Sequence, residues 1–311
     1  MTTEQHSSPD YADDPHPPSD MPWLASYEPE VPPDFSPPDL TLHGLLEKTA
    51  GEYPNNTATI FFGARLTYAQ LDDQASRFAS ALQSLGVRPG DRVAILLPNC
   101  PQFLIALFGA LKAGATAIPL NPAYVPRELT AQFTDAGIET VVTLNTNAAR
   151  VQEAMPGTPV KRLIVTLIQN YLTPLLGLML SVQERRTAAT FVAGEGVYVF
   201  ADLVRSASPE FERAEVRLDD PALLLYTGGT TGTPKGATLS HRNLVSNALQ
   251  TYAWVWDTRP EKHDVYLGVI PFFHSYGMTV VMNMAIAAAA SIVLLPRFNM
   301  KDVLRAIARF A

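Results

Sequence analysis

From Leu40 onward the chain alternates two hydrophobic rhythms, and their order predicts its architecture. Two short runs, Thr57 to Phe62 and Arg65 to Thr67, flank Gly63-Ala64 as the arms of a β-hairpin would. Thr67, with Gln70 three positions on, forms a capping box, after which Leu71, Ala75, Phe78, Leu82 and Leu85 recur in four- and three-residue steps that lay out one apolar helix face. Gly86 ends that helix, Pro89-Gly90-Asp91 turns the chain, and Arg92 to Leu97 reads as a buried strand. Pro101 suits the first position of a second helix, which is apolar nearly all round from Phe103 to Leu111, and Gly114 closes it before the strand Ala115 to Leu120. The cycle repeats: Pro126 opens a helix through Leu129, Phe133 and Ala136, Gly137 caps it, and Ile138 to Leu144 follows as a strand. Alternating β and α elements predict an α/β fold of parallel, doubly wound sheets with helices on both faces.

Strand Val160 to Val165 leads into Leu167 to Val182, an apolar stretch interrupted by Gln169, Asn170 and Pro174. A bilayer core asks for about 20 mostly apolar residues without such breaks, so this is no transmembrane segment. Arg185-Arg186 just after it leave a peripheral membrane contact open. Further on, Ala222 to Leu225 and Ala237 to Leu239 read as strands on either side of a polar loop, and Ser240 caps a helix carrying Leu244, Ala248, Tyr252 and Val255. Val265 to Ile270 is the next strand, an Ala-rich helix runs from Gly277 to Ala290, and Met300 to Phe310 forms a last helix with Val303, Leu304, Ile307 and Phe310 on one face. The alanines at 285 and 287 to 290 mean either room for a ligand or tight packing.

Composition changes this picture mainly at the front. Residues 1–38 hold ten of the 26 prolines, so residues 1–39 are expected to be a disordered Pro/Asp-rich tail, whose later part from Pro22 to Phe35 lies along the surface of the body. The remainder divides into a first α/β subdomain at 40–200 and a second at 215–311. The net charge of −7 also belongs to the front, since the first 40 residues carry nine acids and no Lys or Arg, which leaves 23 bases against 21 acids. A body so near neutrality has no basic stripe for a nucleic acid. A single cysteine, Cys100, rules out an internal disulfide, and the acidic start lacks a signal peptide's basic and apolar regions, so a cytoplasmic setting is expected, with the inner membrane face left open.

The chemistry concentrates in Tyr226 to Gly236, which reads Tyr-Thr-Gly-Gly-Thr-Thr-Gly-Thr-Pro-Lys-Gly. Gly228, Gly229 and Gly232 permit positive φ and let main-chain N–H groups approach phosphate oxygens; Thr227, Thr230, Thr231 and Thr233 add hydroxyls. Lys235 supplies a point charge for a polyanion, while Pro234 stiffens the loop before it. A Walker A loop needs Gly-Lys followed by Ser or Thr, and Lys235 sits between Pro234 and Gly236, so that reading fails. The second candidate is Pro271-Phe272-Phe273-His274-Ser275-Tyr276-Gly277, at the carboxyl end of a strand, where open α/β sheets bind ligands.

The loop, continuing Ala-Thr-Leu-Ser-His-Arg-Asn-Leu, resembles the signature of adenylate-forming (AMP-binding) enzymes, and the chain from 41 to 311 is most similar to long-chain fatty acyl-CoA synthetases. The resemblance implies a two-step reaction with ATP, Mg²⁺ and CoA. A fatty carboxylate of medium to long chain attacks the α-phosphorus, pyrophosphate leaves, and a thiol then takes the acyl group. It also implies roles: Lys235 and the Gly/Thr main chain on the β- and γ-phosphates, Thr227 near the metal, and His274 near the acyl carboxylate and adenylate phosphate. Tyr276, Gly277 and Met278 would lie along the substrate, Met278 standing where some members carry an aromatic gate. No Tyr-Gly-Xaa-Thr-Glu segment appears, so the chain is expected to be an incomplete N-terminal part lacking the lid domain and inactive alone. A non-catalytic product with residual nucleotide binding and another adenylate-forming branch stay open as alternatives, as does a homo-oligomer.

Overall fold

The computed structural model describes residues 21–29, 31–32, 34–184, 194–227, 235–255 and 264–310, in two compact units that meet in sequence between Phe35 and Ser36. Within the first, Pro22–Ser26 makes a 3-10 turn, in which Leu24 N–H donates to Met21 O at 3.0 Å and Tyr27 N–H to Leu24 O at 3.2 Å. The expected tail is thus not wholly irregular: Pro22 at the first helical position brings its fixed φ to the turn. Residues 1–20 of that tail lie outside the described residues.

The second unit is built on two sheets. The larger has seven strands: β3 (Arg92–Leu96), β4 (Thr116–Pro119), β5 (Thr140–Leu144), β6 (Arg162–Thr166), β7 (Val197–Val199), β8 (Pro221–Thr227) and β9 (Lys235–Ser240). Their order is β7-β6-β5-β3-β4-β8-β9, parallel throughout except for the antiparallel pair β8-β9. Strand β3 shows why the sheet is covered twice. Val93 and Ile95 pack into one core with helices α2 (Tyr68–Ser84) and α3 (Pro101–Lys112), while Ala94 and Leu96 face a second core with α4 (Pro126–Asp135) and α5 (Asn145–Ala154). Every residue of α3 is buried, as its unbroken apolar run requires. It approaches α2 so closely that a Cβ on Gly109 would meet Ala75 O at 2.9 Å, so only glycine fits there. Lys112 ends α3 with its ammonium 2.6 Å from Glu47 of α1 (Leu42–Glu52).

The smaller sheet has the order β10-β11-β1-β2, with β1 (Thr57–Phe61), β2 (Ala64–Thr67), β10 (Val265–Gly268) and β11 (Ser291–Leu294). Here β1 and β2 are antiparallel and the other pairs parallel, so both sheets are mixed rather than wholly parallel. The hairpin turn is Phe62-Gly63, one residue earlier than expected, because Phe61 pairs with Ala64. A division at 200–215 does not follow the sheets: β1 and β2 join β10 and β11, while β8 and β9 extend the larger sheet beside β4. The stretch Leu167 to Val182 becomes a 3-10 turn, Ile168–Tyr171, followed by helix α6 (Pro174–Glu184). Among the described residues no helix is long and apolar enough to cross a membrane. Helix α7 (Phe200–Ser206) follows β7, α8 (His241–Trp254) follows β9, and α10 (Met300–Phe310) follows β11. The expected Ala-rich helix opens as π-helical turns, Gly277–Asn283, and continues as α9 (Met284–Ala287).

Candidate active site

Strands β8 and β9 form a hairpin whose last pair is Thr227 and Lys235, with Thr227 Oγ1 donating to Lys235 O at 3.3 Å. The intervening Gly228, Gly229, Thr230, Thr231, Gly232, Thr233 and Pro234 lie outside the described residues, so the structure fixes the two ends of the candidate loop. Both ends are exposed. Because the Thr227 hydroxyl spends its hydrogen on Lys235 O, its oxygen keeps a lone pair for a cation, which suits it to the metal role expected of it. Among the described residues no cluster of three or more His, Cys, Asp or Glu could hold a metal. The stem is anchored from behind: Tyr226 Oη donates to Asp135 Oδ2 at 2.6 Å, and burial, then this carboxylate, raises the phenol's pKa.

His274 is exposed beyond the end of β10. Its Nδ1 accepts the Tyr276 backbone N–H at 3.3 Å, which assigns the proton of the neutral ring to Nε2 and leaves that atom as the outward donor. Its carbonyl accepts Met278 N–H at 3.0 Å, where the π-helical turns begin. Gly277 is required at that bend, since a Cβ would lie 2.4 Å from Pro271 O. Tyr276 is exposed and Met278 fully buried.

Behind these two segments lies a cavity of about 490 Å³, lined by Leu225 and Leu239 of the hairpin, Asn243, Leu244 and Asn247 of α8, and Ser275, Met278 and Thr279. It joins the stem of the loop to the residues following His274. Of the expected substrate residues, Met278 lines it, and Tyr276, Gly277 and His274 do not. Ala285 and the alanines at 287–290 line none of these cavities. They pack instead against α1 and α2: Tyr68 Oη donates to Ala290 O at 2.7 Å and Ala285 O at 3.1 Å, and Thr49 Oγ1 to Ile286 O at 2.9 Å.

Two contributions were not foreseen. Asn243 and Asn247 stand one helical turn apart on α8, a spacing visible in the sequence, and Asn243 Oδ1 accepts the Ser240 N–H at 3.0 Å as part of the helix cap. Asn99, buried just after β3, holds the segment before His274 through Nδ2 to Gly268 O at 3.0 Å and to Ile270 O at 2.8 Å, while its Oδ1 accepts Phe272 N–H at 2.9 Å. The neighbouring Cys100 is a buried free thiol pushed up to about 12 by burial, so it is no nucleophile.

Comparison with known proteins identifies the family and the fold. A family model described as "AMP-binding enzyme" matches residues 46–311. The long-chain-fatty-acid–CoA ligase of Bacillus subtilis (strain 168) is 35% identical over 293 residues, which cover 93% of this chain and 52% of that protein. The ligase of the same name from Yersinia pestis is 32% identical over 263 residues, covering 83% and 47%. Among solved structures, a long-chain-fatty-acid-CoA ligase from Archaeoglobus fulgidus superposes with a TM-score of 0.75 at 25% identity, over 91% of this chain and 52% of that one. ATP-bound MatB from Rhodopseudomonas palustris gives 0.70 at 27% identity, over 88% and 48%. The chain therefore spans about half the length of the curated relatives it matches, and it belongs to the AMP-binding enzyme family.

Proposed function

We propose that this chain carries the ATP-phosphate loop and acyl pocket of a ligase that activates medium- to long-chain fatty acids. The carboxylate oxygen forms a bond to the α-phosphorus of ATP while the bond from that phosphorus to the bridging oxygen breaks, releasing pyrophosphate. In the second step the sulfur of CoA attacks the acyl carbonyl and AMP leaves. Lys235 and the loop 228–234 hold the β- and γ-phosphates that become the leaving group, and the Nε2 proton of His274 is available to the acyl carboxylate and the adenylate phosphate. Mg²⁺, held in part by Thr227, would neutralise charge on the departing pyrophosphate. The apolar walls of the cavity, Leu225, Leu239, Leu244 and Met278, take the alkyl chain. Each buried methylene contributes about 0.8 kcal/mol, so a few suffice to favour such acids over acetate.

The observation that carries this reading is the hairpin that pins Thr227 to Lys235 beside that cavity. In a chain extended to the length of its relatives, Lys235→Ala should slow fatty-acid-dependent ATP–pyrophosphate exchange about 10²-fold to 10³-fold, the usual effect of losing one positioned electrostatic contact. An unchanged exchange rate would remove the loop assignment. The 311 residues assayed alone are proposed to make no acyl-CoA, because the groups of such a site act as a unit and the chain spans about half of its relatives. The proposed setting is cytoplasmic, with peripheral contact to a membrane from which fatty acids are drawn.

A further inference from the structure

The turn joining β1 to β2 is strained. Phe62 and Gly63 are its two central residues, with φ of 47° and 89°, the sign pattern of a type I′ turn that favours Asn-Gly. A phenylalanine at positive φ is a costly choice for a turn, and this residue is 56% exposed although its ring meets that of Phe61 edge to face at 4.8 Å. Backbone strain kept at an exposed position points to a use for the side chain.

The surroundings of Phe62 indicate that use. Helix α6 exposes Leu175, Leu178 and Met179, at 73%, 64% and 63%, in the three- and four-residue steps of one helix face. Between α6 and the turn opens a cavity of about 550 Å³ lined by Phe62, Pro98, Leu144, Ile168, Leu172 and Leu176, with Arg297 at its rim. Arg297 is exposed and has no ion pair among the described residues. A second groove, of about 300 Å³, also has Phe62 on its wall and carries Arg297, Arg305 and Arg309 against the one acid Asp302. An apolar helix face, a strained exposed aromatic, a cavity fit for an alkyl chain and a basic rim thus converge on one place.

We propose that this surface docks on an anionic lipid bilayer: Phe62, Leu175, Leu178 and Met179 enter the acyl layer, and Arg297, Arg305 and Arg309 meet headgroup phosphates. The apolar cavity receives one lipid or fatty acyl chain from that layer. The excess of arginine over acid in the groove selects a negatively charged surface, beside an apolar face that an acyl layer can take up. The inference gives the membrane contact of the proposed function its residues, and it is tested without ATP or turnover, so its failure would leave the ligase reading standing.

The test is co-sedimentation of the 311-residue chain with vesicles of phosphatidylglycerol or of phosphatidylcholine, alongside urea unfolding. We expect binding to the anionic vesicles to weaken at raised salt and to fall at least about fivefold in Leu178→Gln/Met179→Gln, in line with lost apolar burial. Phe62→Asn is the sharper variant: it relieves the turn, so stability should hold or rise, while vesicle binding falls. Binding unchanged in both variants, or equal binding to the two vesicle types, would overturn the proposal. So would a salt-insensitive dimer, lost in the same variants, in a chain that ignores vesicles.

Discussion

Asn99 spends both ends of its amide on the backbone around His274, reaching from the end of β3 in one sheet to the end of β10 in the other. Asn99→Leu keeps the volume but leaves the buried Phe272 N–H without that acceptor and removes one partner each from Gly268 O and Ile270 O. A buried group left unsatisfied costs about 1–3 kcal/mol, so the variant should lose about 3 kcal/mol in urea unfolding. A midpoint equal to that of the parent chain would mean the segment before His274 is held by something else. At this scale the sequence was uneven. Thr227, Lys235 and His274 were legible because glycine, hydroxyl and charge in that order do no packing work, whereas an asparagine between two prolines reads as a turn residue. Its partners lie some 170 positions away, where no local pattern reaches.

Helices α1 and α8 meet through two histidines. His43 and His241 stand edge to face with ring centroids 5.5 Å apart, and His241 Nδ1 accepts Leu42 N–H at 3.1 Å, so it is neutral in the fold. Burial first, and then for His43 the neighbouring His241, lower both from 6.5 to about 4. A histidine lowered in the folded state binds its proton more readily in the unfolded one. Stability is therefore full above pH 6.5 and drains away as the pH falls towards 4, where the folded rings charge as well. Urea midpoints measured between pH 7 and pH 4 should fall in that window, and His241→Asn, which keeps an acceptor for Leu42 N–H, should flatten the slope by about one proton's worth. A slope unchanged in that variant would clear His241 of the role. Neither histidine stood out in the sequence, where His241 was one letter of the segment after the loop. The strongly periodic elements did stand out: α2, α3, α4 and their strands fall within a few residues of expectation. Helices α1, α5 and α7 were missed, the first lying ahead of the earliest predicted strand, the second built on Asn-Thr-Asn with little apolar rhythm, and the third only seven residues long. The π-helical turns after His274 were invisible for a different reason, since such a widening leaves no period in the letters, even though Gly277 at their start approaches Pro271 too closely for any Cβ.

At the scale of the whole second unit, the parallel doubly wound pattern was legible, but the pairing of distant segments was not. Hairpin β1-β2 finds its neighbour β11 more than 200 residues later, and register alone does not announce such a crossover. Among the described residues the same topology leaves β10 at the edge of the smaller sheet, with Val265 exposed. Helix α10 covers that region only in part. Ala306 is buried beside Ile60 and Val293, while Leu304 and Ile307, on the apolar face that the sequence marks out, are exposed. An unpaired strand edge next to exposed leucine and isoleucine is an adhesive surface. The 311-residue chain should therefore associate as its concentration rises, and Leu304→Lys with Ile307→Lys should shift it towards monomer. Surface changes of this kind usually alter stability by about 0.5 kcal/mol or less, so the urea midpoint should barely move. Sedimentation velocity over a tenfold concentration range checks this. A monomeric parent chain, or an association that survives both lysines, would show that the exposed α10 face is not what draws copies together.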